Sequence, residues 1–220
     1  HLDNAEKGVI SGIFAATGQT CIAGSRLLVQ QSIHDAFVDK LVAFAKSARM
    51  GDPMSLDTQV GPVTNRPQFD KILRYLDIAK GEGAKTLLGG AKATRPECGN
   101  GWFVEPTIFG GVSNAMRIAQ EEVFGPILSA MPFRDEAHAA ELANCTNFGL
   151  VAGVWTADGG RQFRMAKALR SGQVFINNYG AGGGIELPFG GVKHSGHGRE
   201  KGFEALYGFS VLKTLAIKHD

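Results

Sequence analysis

One position in this sequence gathers the conditions for covalent chemistry. Cys21 stands in the run Phe14-Ala-Ala-Thr-Gly-Gln-Thr-Cys21-Ile-Ala-Gly-Ser-Arg26, just past an expected helix end. Gly18 and Gly24 free the main chain on either side, so the Cys21 N–H can turn toward a cleft. A partly exposed thiol on a sharp turn, where thiolate is favoured, suits attack on a carbonyl carbon, and its own N–H can steady the oxyanion. The same residues also read as a small buried cysteine that packs as a hydrophobe. A second constellation is Glu121-Glu122-Val-Phe124-Gly-Pro126, where Gly-Pro turns the chain sharply and fixes what precedes it. Taken alone, the run reads as an acidic turn beside a core phenylalanine.

Other candidates carry less. Gln68 and Lys71 fall on the polar side of an expected helix, where solvated polar residues are ordinary. Asn177 ends an expected strand, a place where α/β folds carry sites. The glycines from 180 to 184 follow a strand without opening a helix, and Ile185 and Leu187 fall where a third glycine belongs. No dinucleotide fingerprint is read there. His194 and His197 lie three apart in a Gly/Ser-rich turn with no cysteine or carboxylate cluster beside them, so no metal site is expected.

The elements that must position these groups alternate. Residues 3–16 have helical spacing of Ala5, Val9, Ile13 and Ala16 and deliver the chain to Cys21. Residues 26–30 read as a buried strand, and 37–49 as an amphipathic helix with a capping signal in Ser32 and Asp35. Pro67 opens a helix whose buried stripe is Phe69, Ile72, Leu73, Leu76 and Ala79. Strands are expected at 86–88, 127–133, 151–155 and 173–176, extended chain at 103–109, and helices from Asp135 and over 158–169. A short helix around 200–207 precedes a strand-like 208–218. Strands alternating with helices imply βαβ units, hence an α/β fold with a mostly parallel sheet covered on both faces.

Composition bounds the function. The 220 residues are 44% apolar and 20% charged, enough for a soluble globular domain with a sizeable core. A net charge of +2, with no basic run, gives no support for nucleic acid, and no apolar run reaches membrane-spanning length. Cys21, Cys98 and Cys145 form no CxxC pair, which points to a reducing, cytoplasmic setting, although any targeting peptide would lie upstream of His1.

The run GQTCIAGSR (18–26) resembles the active-site cysteine segment of the NAD(P)-dependent aldehyde dehydrogenases. Six further blocks agree in order: GPVTNRPQFDKI (61–72), EGAKTLLGG (82–90), EPTIFGGV (105–112), QEEVFGPIL (120–128), VFIN (174–177) and ELPFGGVKHSGHGRE (186–200). The resemblance covers essentially the whole chain. It implies an aldehyde dehydrogenase catalytic domain over 1–207 and an oligomerisation strand over 208–220 that joins a partner subunit's sheet in a dimer or tetramer. It makes Cys21 the nucleophile that oxidises a small-molecule aldehyde to a carboxylic acid through a thiohemiacetal and a thioester, with NAD or NADP. It places Glu122 on the nicotinamide ribose, Phe124 against the nicotinamide, and Gln68 and Lys71 near the cofactor ribose. Tyr179 and the glycines after it correspond to the variable substrate loop. The family's cofactor domain, side-chain oxyanion donor and Glu-Leu-Gly-Gly base would precede His1, so this chain reads as the catalytic half of such an enzyme, with little activity alone. A CoA-acylating relative and a non-catalytic association module are the alternatives; a cysteine hydrolase lacks its His-Asn/Asp partner pattern.

Overall fold

The run Ile127–Phe133 is buried through its first five residues and becomes the central strand, β4, of a four-stranded sheet in the computed structural model, which describes residues 2–179 and 184–220. A strand buried on both faces is what parallel pairing under two helix layers requires. β1 (Arg26–Gln30) lies parallel on one side, with Arg26 opposite Ser129, and β3 (Thr107–Gly110) lies parallel on the other, with Thr107 opposite Ile127. β2 (Lys85–Leu88) closes that side antiparallel to β3. β5 (Val151–Val154) and β6 (Gln173–Ile176) pair parallel as a second sheet. The expected mostly parallel sheet is therefore present in two pieces.

The alternation of side chains along each strand divides the core. Val29, Ile108, Leu128 and Ala130 face α1 (Leu2–Phe14) and α2 (His34–Lys46). Their neighbours Phe109, Ile127 and Met131 face the opposite way, against α3 (Arg66–Gly81) and the short α4 (Arg117–Gln120). A third, smaller core joins α5 (Glu136–Asn144) and α6 (Gly159–Ala168) to β5 and β6 through Ala139, Met165, Ala152, Val154 and Val174.

Helix starts follow local chemistry. Asn65, Asp135 and Asp158 accept from the main-chain N–H groups of Gln68, His138 and Arg161 at 2.9, 2.9 and 2.8 Å, capping α3, α5 and α6. The cap expected from Ser32 is not made: a single turn over Gln31–Ile33 leads into α2, and Asp35 lies 2.8 Å from Nδ1 of His34 instead. The helix expected around 200–207 shortens to α7 (Ala205–Gly208), and 209–220 has no regular structure and is exposed. The strand expected there is unpaired in the single chain, and an unpaired strand gains no ladder hydrogen bonds. Among the described residues no helix is long and apolar enough to cross a membrane.

Glu136, at the start of α5, receives Arg164 at 2.7 and 2.9 Å and Arg161 at 3.2 Å, tying α5 to α6. Hydrogen bonding from Arg164 holds its carboxyl down at about 2. A depressed carboxylate contributes stability above its ordinary value near 4.5 and loses it as pH falls through the folded value. Glu136→Gln should therefore melt below the parent protein at pH 7, with the gap closing as the pH approaches about 2; thermal melts of both proteins across pH 2–7 check this.

Candidate active site around Cys21

The helix that delivers Cys21 ends abruptly. After α1, Ala16, Thr17 and Gly18 take φ of 49°, 57° and 67°, three left-handed residues in succession, a conformation that costs energy at the non-glycines and persists only where surroundings impose it. The surroundings here are the 61–64 segment. Thr17 Oγ1 donates to the Gly61 carbonyl at 3.2 Å, while the Gln19 amide donates to Pro62 O at 3.4 Å and accepts from the Thr64 N–H at 2.9 Å. Beyond the cysteine, Ala23 N–H donates to Thr20 O and Gly24 N–H to Gly12 O, closing the loop back onto α1. Cys21 itself is exposed, and no carbonyl among the described residues accepts its N–H. It lies on a cavity of about 930 Å³ that Glu122, Phe124 and Tyr179 also line.

Gly18 brings the cysteine loop against the acidic turn. A Cβ at Gly18 would overlap the carbonyl oxygen of Gly125, and one at Gly125 would lie 2.7 Å from the Ile72 side chain. Loop, turn and α3 thus stack at main-chain distance. The turn is itself strained, with Phe124 at φ 60°. Gln68 Nε2 donates to the carbonyls of Val123 and Phe124 at 2.9 and 2.8 Å, and Lys71 Nζ donates to that of Glu122 at 2.8 Å. The five residues singled out from sequence are therefore gathered at one place. Gln68 and Lys71, however, direct their donors at the turn's backbone, a positioning contact that their sequence setting does not reveal.

The two adjacent acids divide their work. Glu121 accepts from Arg117 at 2.8 and 2.9 Å and from the Tyr75 hydroxyl at 2.5 Å. The Arg117 and Tyr75 hydrogen bonds hold its carboxyl down at about 2. Arg117 and Lys71 also sit 5.6 and 5.9 Å from the Tyr75 ring centre. Glu121 anchors the turn, while Glu122 is exposed on the cavity side.

Tyr179 is partly buried beside the cysteine loop. Its hydroxyl donates to the Ile22 carbonyl at 3.0 Å, next to Cys21, and burial pushes that hydroxyl up to about 12, so it stays a donor. The ring fills space left by three glycines: a Cβ at Gly12, Gly24 or Gly153 would meet it at 2.8, 3.2 or 2.5 Å. Those glycines, far apart in the chain, were the only trace of this in the sequence. Asn177, at φ 53°, brackets Thr156 by accepting from its N–H and donating to its carbonyl, both at 2.9 Å, joining the ends of β5 and β6. Of the glycine-rich segment, 180–183 lie outside the described residues. His194 packs edge-on to Phe148 with ring centres 6.4 Å apart.

These contacts predict opposite outcomes for two glycines. Gly18→Ala should destabilise by about 2 kcal/mol or more, since a Cβ at positive φ meets backbone that cannot yield. Gly81→Ala, at the end of α3 with nothing within 4 Å, should be neutral or stabilise by up to about 1 kcal/mol. Urea unfolding of the two variants checks the contrast.

The aldehyde dehydrogenase family model matches residues 1–215. Betaine aldehyde dehydrogenases from Mesorhizobium japonicum and Brucella melitensis are 42% and 40% identical over 217 residues, which cover 99% of this chain and 44% of each relative. The structure of an indole-3-acetaldehyde dehydrogenase complexed with NAD+ superposes with a TM-score of 0.94 at 41% identity, covering 100% of this chain and 44% of that one. HpcC from Thermus thermophilus superposes with a TM-score of 0.90 at 42% identity, over 93% of this chain and 40% of that one. The chain thus spans less than half the length of the relatives it matches, and it belongs to the aldehyde dehydrogenase family.

Proposed function

We propose that the protein carrying this chain oxidises an aldehyde to a carboxylic acid with NAD or NADP, using Cys21 as the nucleophile. The observation that carries the reading is the shared cavity: an exposed cysteine on a strained loop, packed through Gly18 onto the turn that presents Glu122 and Phe124. Betaine aldehyde dehydrogenases among the relatives, and the neighbour solved with NAD+, support the reaction class.

In this reading the Cys21 thiolate adds to the aldehyde carbon, forming a C–S bond and placing negative charge on the former carbonyl oxygen. The Cys21 N–H, with no carbonyl accepting it among the described residues, can donate to that oxygen. The nicotinamide nucleotide, when bound, supplies the hydride acceptor. An exposed carboxylate and a partly buried aromatic ring, held on one rigid turn, suit a ribose diol and a flat heteroaromatic ring, so Glu122 and Phe124 are the residues assigned to it. Gln68 and Lys71 act by holding that turn from beneath. Water then cleaves the thioester left on Cys21, releasing the acid and restoring the thiol.

Adding to a carbonyl requires only the thiolate and its donors, whereas hydride transfer also requires a bound nicotinamide nucleotide, and the 220 residues are read here as carrying the first step alone. The 220-residue protein should give a burst of about one equivalent of p-nitrophenol from p-nitrophenyl acetate. Cys21→Ser should abolish the burst and Cys145→Ser should leave it. No NADH should form from an aldehyde panel. Robust NAD-dependent turnover by the 220 residues would overturn the division, and a burst that survives Cys21→Ser would overturn the nucleophile.

The tail belongs to the same reading as an association strand. Phe209, Val211, Leu212, Leu215 and Ile217 are exposed in the single chain, apolar surface that a partner's sheet edge would cover. Removing 209–220 should reduce the mass in light scattering from an oligomer to a monomer; an unchanged mass would count against the strand.

A further inference from the structure

Cys21 sits in a tight reversal of the chain. The Ala23 N–H donates to the Thr20 carbonyl at 3.0 Å, so Cys21 and Ile22 are the central residues of a four-residue turn. That closing bond leaves the Cys21 N–H unused. The peptide joining Ile22 to Ala23 has two tasks. Its N–H closes the turn, and its carbonyl accepts from the Tyr179 hydroxyl at 3.0 Å. A planar trans peptide puts these groups on opposite sides, so fixing one fixes the other. Among the described residues no second donor reaches the Ile22 carbonyl. Tyr179, 157 positions away in the chain, has little freedom of its own. Its ring occupies the space that Gly12 of α1, Gly24 of the cysteine loop and Gly153 of β5 leave open. Phe175 lies tilted against it with ring centres 6.4 Å apart.

We propose that Tyr179 is a positioning residue for the reaction assigned to Cys21. Through the Ile22 carbonyl it fixes the peptide that closes the turn, and so keeps the Cys21 N–H aimed at the oxygen of a substrate carbonyl. The assignment deepens the proposed function and rests on it. Without the hydroxyl, the Ile22 carbonyl is left part-buried with no donor, which favours rotation of that peptide toward water. Rotation draws the Ala23 N–H off Thr20 and lets the Cys21 N–H swing out of line. The exposed thiol keeps its surroundings. The loss therefore falls on the oxyanion donor and spares the nucleophile.

Two reagents separate these roles. With p-nitrophenyl acetate the thiolate adds to a carbonyl, an oxyanion develops, and p-nitrophenolate leaves. With iodoacetamide the thiolate displaces iodide from a saturated carbon and no oxyanion forms. In the 220-residue protein, Tyr179→Phe keeps the ring and removes only the hydroxyl. The rate constant of its p-nitrophenyl acetate burst should fall by about tenfold or more. Alkylation of Cys21 by iodoacetamide, followed by mass, should stay within about twofold of the parent and keep the midpoint of its pH profile. Hydrogen exchange of the Ala23 amide should quicken by about tenfold while the amides of α1 keep their rates. An unchanged burst or an unchanged Ala23 amide would overturn the assignment. So would an equal fall in both reactions, which means a loosened loop and not a misdirected donor. A parent protein that gives no burst strikes the reading of Cys21 itself and takes this assignment with it.

Discussion

The closest approach in the site is between two stretches of main chain. Gly18 meets the carbonyl of Gly125, and nothing larger than hydrogen fits between them. That contact sets the cysteine loop against the Glu122–Phe124 turn. It explains why the chain tolerates three left-handed residues before Cys21 and a fourth at Phe124: leaving those conformations would separate the two segments or drive them into each other. Ile72 beneath Gly125 passes the constraint to α3, whose position is set by a fully buried stripe against Phe109, Ile127 and Met131. Site geometry is therefore an outcome of core packing.

Hydrogen bonds then refine what packing places. Gln68 and Lys71 direct their donors at three consecutive carbonyls of the turn, and Glu121 is held by Arg117 and Tyr75. An anchored acid beside an exposed one is a means of presenting a carboxylate with little freedom to lose on binding. Tyr179 does the equivalent for the other segment, donating to the carbonyl beside Cys21 from behind the loop. Charged partners, an aromatic ring and small residues each restrain the main chain on which Cys21 and Glu122 are mounted.

Much of this was legible in the chain itself. The strand at 127–133 appears where its apolar run ends at turn residues, because burial on both faces leaves no alternation to misread, and those at 26–30 and 173–176 keep their expected bounds. Asn65, Asp135 and Asp158 cap their helices because capping is decided by residues three apart. The helix expected around 200–207 is shorter in the structure: Phe203, Leu206 and Tyr207 stand exposed among the described residues, so little burial supports its first turn.

The sequence by itself determined the family, the nucleophile candidate, the acidic turn and nearly every element, since these rest on local spacing and on ordered motifs. Only the tertiary structure decided that Gln68 and Lys71 face backbone, that Glu121 is committed while Glu122 is exposed, and that Tyr179 turns inward onto Gly12, Gly24 and Gly153. It also decided that the strands stand as two sheets with bare edges across one cavity. Each of these depends on which distant segments meet, and a residue's type and spacing state what it can donate, accept or fill but not what will stand opposite it.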